Sequence, residues 1–286
     1  MGEDKSLVNI DFSNLSKPAT VLIEKISDAI GVVYEPRKIK QLAKAEIEAD
    51  KIRALGKIEV SDLQGRAMQR MIAEETIKQE NIENITAQAM QELKEDAKPE
   101  DLDRDWIANL FDKCRLVSDH EMQSLWSRLL TGEANEPGTF SKRTVELVAS
   151  LEKEDAHLFT KLVGFVFYIE DETCPVIIKR NNEIYTNQGL KFAELFHLNS
   201  IGLINLDFSE NYVCDYLQKM ARVRYFDKTA TIKLRNQENN ALRVGGVLLT
   251  QAGKELAPIC GASGYPGFMD YVMREWQNED SFISWE

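Results

Sequence analysis

The residues able to do chemistry are few and scattered. His120, His157 and His197 are isolated, and none stands in an H-E-x-x-H or H-x-E context. Cys114, Cys174, Cys214 and Cys260 form no C-x-x-C pair. Structural zinc would want closer pairs and a disulfide framework a shorter, secreted chain, so free thiols are expected. Asp103, Asp105, Asp112 and Asp119 do not take the spacing of a paired-metal nuclease site with a lysine. Gly261-Ala-Ser-Gly264 lacks the strand before it and the helix after it that a nucleophile elbow needs. Ala252-Gly-Lys254 lacks the upstream glycine and the following Ser/Thr of a phosphate loop. A Ser/His or Cys/His pair that meets only in space stays open. The sequence therefore names no catalytic residue, no cofactor site and no metal site, and a non-enzymatic protein is expected.

One charge feature runs against the rest of the chain. The whole sequence carries a net charge of −12, which argues against general polyanion binding. Between Lys219 and Arg243, however, seven basic residues face two acidic ones, a local net charge of +5. Arg222, Arg224, Lys228, Lys233, Arg235 and Arg243 could contact phosphates or an acidic partner from a hairpin, with Tyr225 available for stacking. The plainer alternative is that outward strand positions are charged because they are wet. No helix with a basic N-terminal face accompanies the cluster.

The elements that must position such groups are clearest between Leu116 and Leu151. Ser118-Asp-His-Glu121 reads as a capping box, followed by Met122, Leu125, Trp126, Leu129 and Leu130 at helical spacing. Thr131-Gly132 is expected to stop that helix, and Pro137-Gly138 to turn the chain. Ser141 can cap a second helix with Val145, Leu147, Val148 and Leu151 on its apolar face. The result is a helical hairpin. Its Trp126, Arg128 and Glu133 read either as fold elements or as a partner surface.

This stretch, LWSRLLTGE followed by Pro-Gly-x-Phe-Ser and R-T-x-E-L, resembles a family of uncharacterised bacterial proteins catalogued as a domain of unknown function. The resemblance extends to Gln79-Glu-Asn-Ile-Glu-Asn84, Ile201-Gly-Leu-Ile204 and Leu249-Thr-Gln-Ala-Gly253. It implies a shared fold and no catalytic residues. A tryptophan-bearing helix before a proline turn and another helix is also similar to the alpha-type abortive-infection proteins of phage defence, which implies a defence role.

The flanks complete the expected architecture. Pro18 suits a helix's first turn, with Val21, Leu22, Ile26 and Ile30 following and Gly31 ending it. From Arg37 to Ala97 there is no proline and the composition favours helix, with a bend between Gly56 and Gly65. The stripe through Ile47, Ile52, Leu55, Met71, Ile72 and Ile82 is expected to meet the same stripe of another subunit. Asp103 can cap a helix carrying Trp106, Ile107, Leu110 and Phe111. After Gly164 the chain becomes β-branched and aromatic: strands at Phe165–Ile169 and Pro175–Ile178, a helix over 189–198, then a hairpin over 222–250 with NQENN at its tip. A short helix over 251–259 and a last one over 268–276 follow.

The fold expected is mainly α with a smaller α+β part: a long-helix N-terminal arm over 1–98, a central helical domain over 99–163 and a winged-helix-like domain over 164–286. The first residues show no basic region followed by an apolar core, and no apolar run reaches the ~20 residues that span a bilayer, so a cytoplasmic protein without a membrane span is expected. The preferred function is a homo-oligomeric assembly or adaptor protein with a protein partner, in phage defence by resemblance. A nucleic-acid-binding regulator and an enzyme with an unrecognised site are the rivals.

Overall fold

The computed structural model describes residues 15–32, 62–209, 212–278 and 282–285. It divides into two compact units, Met1–Ala149 and Ser150–Glu286. The first is helical; the second mixes helices with antiparallel sheets. The first half of the expected arm ends in residues outside the described ones. The second half is built into the same unit as the central hairpin, where the sequence reading drew a boundary at 98.

Among the described residues of the first unit there are five α-helices: α1 (Lys17–Ile30), α2 (Asp62–Gln91), α3 (Arg104–Cys114), α4 (His120–Asn135) and α5 (Lys142–Ser150). Ser16 caps α1 by accepting from the Ala19 N–H, and Gly31 closes it in the left-handed region at φ 71°. Asp103 caps α3 as expected, accepting from the Trp106 N–H at 2.7 Å. α1 packs on α3 and α2 on α4. Leu22, Ile26, Ile85, Ile107, Phe111 and Trp126 fill the core between them.

Two details of the hairpin differ from expectation. Asp119, not Ser118, caps α4, because its carboxyl accepts from the N–H groups of both Glu121 and Met122. Gly132 does not stop α4, which continues to Asn135. Gly132 is needed for another reason: a Cβ there would stand 2.5 Å from the buried ring of Phe140. α2 likewise runs through Gly65 without a break.

The second unit begins with α6 (Lys153–Val163) and the strands β1 (Val166–Ile169) and β2 (Glu172–Pro175). Two helices follow, α7 (Glu183–Thr186) and α8 (Phe192–Ser200). The strands β3 (Ile204–Leu206), β4 (Tyr212–Leu217), β5 (Met220–Tyr225), β6 (Lys228–Leu234), β7 (Asn240–Gly245) and β8 (Val247–Leu249) come next. The chain ends in α9 (Gln251–Leu256), α10 (Phe268–Asn278) and β9 (Phe282–Trp285). The main sheet has the order β2-β1-β5-β6-β9, and two ribbons pair β3 with β8 and β4 with β7. Phe165, Phe167, Tyr225, Phe268 and Trp276 form a continuous aromatic cluster in its core.

The hairpin expected over 222–250 is replaced by a different pairing. β5 and β6 form the hairpin, joined through Phe226-Asp227, with Phe226 at φ 53°. NQENN instead leads from β6 to β7, which belongs to another sheet. The apolar run from Leu242 to Leu249 is split at Gly245-Gly246. Gly245 has φ 102°, and a Cβ there would lie 1.8 Å from the carbonyl oxygen of Ile177. Only glycine lets the two backbones pass this closely, so β7 turns away toward β4 and β8 toward β3. Among the described residues no helix is long and apolar enough to cross a membrane.

Candidate functional site

Three surfaces were candidates on sequence grounds, and the fold sorts them differently. The hairpin residues belong to the core of the first unit. Trp126 is only 1% exposed and Glu133 is buried, so neither presents a partner surface. Glu133 instead shapes the turn after α4: its carboxyl accepts from the N–H groups of Gly138 at 2.7 Å and Phe140 at 2.8 Å. Trp106 then donates from its indole N–H to the Phe140 carbonyl at 2.8 Å. Arg128 is half-buried and donates to the carbonyl and hydroxyl of Ser124, one turn back on α4.

The arm keeps part of its candidate interface. Ile47, Ile52 and Leu55 lie outside the described residues. Ile82 is buried within its own unit and cannot meet another subunit, because Asn81 beside it locks α2 to α4. The Asn81 amide donates to the Arg115 carbonyl at 2.9 Å, and Gln123 donates to the Asn81 side chain at 3.0 Å and the Val117 carbonyl at 2.9 Å. Before this clasp, from Asp62 to Ile77, α2 is almost wholly exposed. Met71 is 56% and Ile72 37% exposed there, beside exposed Leu63, Met68 and Ile77, which the sequence reading had not singled out. The charges on this stretch pair along the helix, Arg70 with Glu74 at 2.7 Å and Glu75 with Lys78 at 2.6 Å.

The basic cluster separates into groups. Arg222 and Arg224 on β5, with Lys233 on β6, project from the outer face of the main sheet. The register sets Arg222 beside Thr231, Arg224 beside Thr229 and Tyr168, and Tyr168 beside Thr173. The Arg224 guanidinium lies 4.1 Å from the centroid of the Tyr168 ring. Tyr168, Thr173, Arg222, Arg224 and Thr229 border a concavity of about 440 Å³ together with Glu170 and Asp171. Glu170 is already engaged, accepting from the Arg222 N–H at 2.6 Å.

Tyr225 does not belong to this face and is corrected: it points inward, 3% exposed. Its hydroxyl donates to the Gly164 carbonyl and accepts from the Tyr265 N–H, each at 2.6 Å. Burial pushes its phenol well above the usual value. Lys228 and Arg235 are exposed at the two ends of β6, and Arg243 is half-buried on β7 in the other sheet. The aromatic side chain on this face is therefore Tyr168, against Arg224. It is distant in sequence from the cluster, so only strand pairing could have found it.

A further exposed patch was not anticipated. Phe192 and Phe196 lie one turn apart on α8, with ring centroids at 6.1 Å, and Phe208 lies 5.9 Å from Phe192. The Arg180 guanidinium stands 5.7 Å from the Phe192 ring. On the far side of α8, His197 Nε2 and Asp155 Oδ1 are hydrogen-bonded at 2.6 Å.

The first unit has a concave surface of its own. A concavity of about 550 Å³ between α1, α2 and α3 is bordered by Glu75, Lys78, Asp112 and Arg115. There Glu75 pairs with Lys78 and Asp112 with Arg115. The Lys78 ammonium holds the Glu75 carboxyl below its usual value. Among the described residues no group of three or more His, Cys, Asp or Glu side chains is arranged to hold a metal ion.

Residues 65–273 match the model of a family described as Protein of unknown function (DUF2806). No curated protein and no solved structure matches the chain.

Proposed function

The chain belongs to this family of unknown function, matching its model over well over half of its length, and we propose that it is a non-enzymatic assembly protein that self-associates through the first half of α2. The observation that carries this reading is the run of exposed apolar side chains at Leu63, Met68, Met71, Ile72 and Ile77 on an ordered helix. A helix standing free of a core is marginal in water, because nucleation is costly and packing supplies most of the stability. Each such side chain, once fully buried, contributes about 1.5–3 kcal/mol.

The occupant argued for is the same stretch of a second copy. In an antiparallel pairing centred near Met71, the side chains of Met68, Met71 and Ile72, which fall within about a third of the helix circumference, meet their counterparts. Replacing Met71 and Ile72 with glutamate should reduce the mass in solution and leave each unit folded by circular dichroism, since neither side chain is in the core of its own unit. An unchanged mass would remove the reading.

We read the second unit as winged-helix-like. α7 and α8 are joined by a short turn, β3 and β8 pair antiparallel, and β8 runs into α9 through the Thr250 cap, with β4 to β7 inserted between. In such an arrangement α8 would be the reading helix. Its outward face carries Phe192 and Phe196 instead of cations, which favours a protein partner there over base readout.

A second reading has its own support: Arg222, Arg224, Lys233 and Tyr168 share one open sheet face, a combination suited to backbone phosphates and a stacked base. Under this reading, glutamine at the three basic positions should lower the slope of log affinity against log salt by about 0.7–0.9 per lost phosphate contact. Undetectable binding of the wild-type chain to oligonucleotides at low salt would eliminate it.

A further inference from the structure

The concavity on the outer face of the main sheet is built from two cross-strand rows. Register puts Thr173, Tyr168, Arg224 and Thr229 side by side across β2, β1, β5 and β6. The next row sets Arg222 beside Thr231, with the Glu170 carboxyl bonded to the Arg222 backbone. Side chains two residues apart on one strand face leave the backbone about 7 Å apart. Two guanidinia on β5 and two threonine hydroxyls opposite them on β6 thus frame an area that one phosphate group can span. Among the described residues neither guanidinium is paired with a carboxylate, whereas Arg70, Arg115 and Lys254 each hold one. The Arg224 guanidinium lies instead against the Tyr168 ring, 4.1 Å from its centroid, which fixes its plane and leaves its N–H edges able to donate.

The same concavity carries the opposite charge: Glu170 and Asp171, between β1 and β2, also border it. A polyanion would bring further phosphates toward these carboxylates. A ligand with one anionic end and hydroxyl or amino donors elsewhere satisfies both kinds of group. The volume of about 440 Å³ lies within the range of small-molecule sites, about 300–1,000 Å³. We propose that this concavity binds a single nucleoside monophosphate. The proposal rests on the phosphate-and-base reading of this sheet face and narrows its ligand from a strand to one nucleotide. The phosphate lies between Arg222 and Arg224, within reach of the Thr229 and Thr231 hydroxyls. The base extends the Tyr168–Arg224 stack, since a guanidinium plane takes a base on its open face. Ligand hydroxyl and amino groups donate to the Asp171 carboxylate.

The test is calorimetric titration of the full chain with the four common ribonucleoside 5′-monophosphates, the matching nucleosides, inorganic phosphate and a short single-stranded oligonucleotide. The expected result is a saturable single site for a nucleotide, with its nucleoside and inorganic phosphate binding at least about tenfold more weakly. The oligonucleotide should bind no more tightly than the nucleotide at the same salt. Arg222→Gln and Arg224→Gln should each lower nucleotide affinity about ten- to a hundredfold, the range for a hydrogen bond to a charged group. Tyr168→Phe, which keeps the ring, should retain more affinity than Arg224→Lys, which keeps the charge and loses the plane. Lys228→Gln, outside the concavity, should bind as wild type. Circular dichroism checks the fold of each variant. Oligonucleotide binding through both arginines with none for any mononucleotide would overturn the proposal and leave the strand reading standing. Binding of neither would remove both. Nucleotide affinity unchanged in both glutamine variants, or equal to that of inorganic phosphate, would also overturn the proposal.

Discussion

Glu133 and Gly132 show what single residues contribute to the hairpin. The carboxyl of Glu133 satisfies two backbone donors in a buried turn, and Gly132 leaves room for the Phe140 ring that the turn delivers. Gly132→Ala should destabilise the protein by about 1–3 kcal/mol, the usual cost of overpacking a filled site. Glu133→Ala should cost about 1–3 kcal/mol for each donor left unpaired, readable as a drop in the denaturant midpoint. A midpoint equal to wild type for both would mean the turn is held by something else. Spacing put Trp126 on an apolar helix face but left it open between core anchor and partner surface, and its burial decides for the core. Spacing could not show the role of Glu133, because the partners of its side chain are backbone groups whose position depends on the completed turn.

Asp155 carries a pH dependence at the same scale. Burial works to raise its carboxyl, but the His197 ring and the Glu152 N–H outweigh that and hold it below its usual value. Since the unfolded chain then binds the proton more readily, this contribution is present above the unfolded carboxyl value and is lost as pH falls through the lower folded one. Asp155→Asn should therefore flatten the fall in melting temperature on acidification below about pH 4. A curve parallel to wild type would show that the pair adds nothing.

At the scale of elements, periodicity located most helices and little of the sheet pairing. α1, α3, α5 and α10 were legible because caps, a first-turn proline and apolar faces coincide in short windows. The β5–β6 hairpin was missed because its turn, Phe226-Asp227, contains no glycine or asparagine, while NQENN looks like a tip and is not one. α2 was read as one continuous interface, whereas Asn81, Gln123 and Ile85 tie its second half to α4. Cutting the chain at Asp101 would thus remove part of the first unit's core. The exposed half is better tested in place. Under mild oxidation, Met71→Cys near the centre of the antiparallel pairing should cross-link two copies efficiently, and Leu63→Cys near the end should not. Equal cross-linking at both positions would argue for a parallel or unspecific contact.

For the whole molecule, the boundary at Ser150 separates a helical unit, whose α2 offers an apolar stretch, from a mixed unit with a basic sheet face and an aromatic patch. Composition gave the overall acidity but not its segregation, since the outer face of β5 and β6 acquires its character only when Tyr168 is paired beside it. What the surfaces offer is contact, and self-association through α2 is the central claim. Light scattering on the full-length chain measures this directly: the account expects a mass that is a multiple of 32.6 kDa, and a particle of 32.6 kDa at every concentration would contradict it.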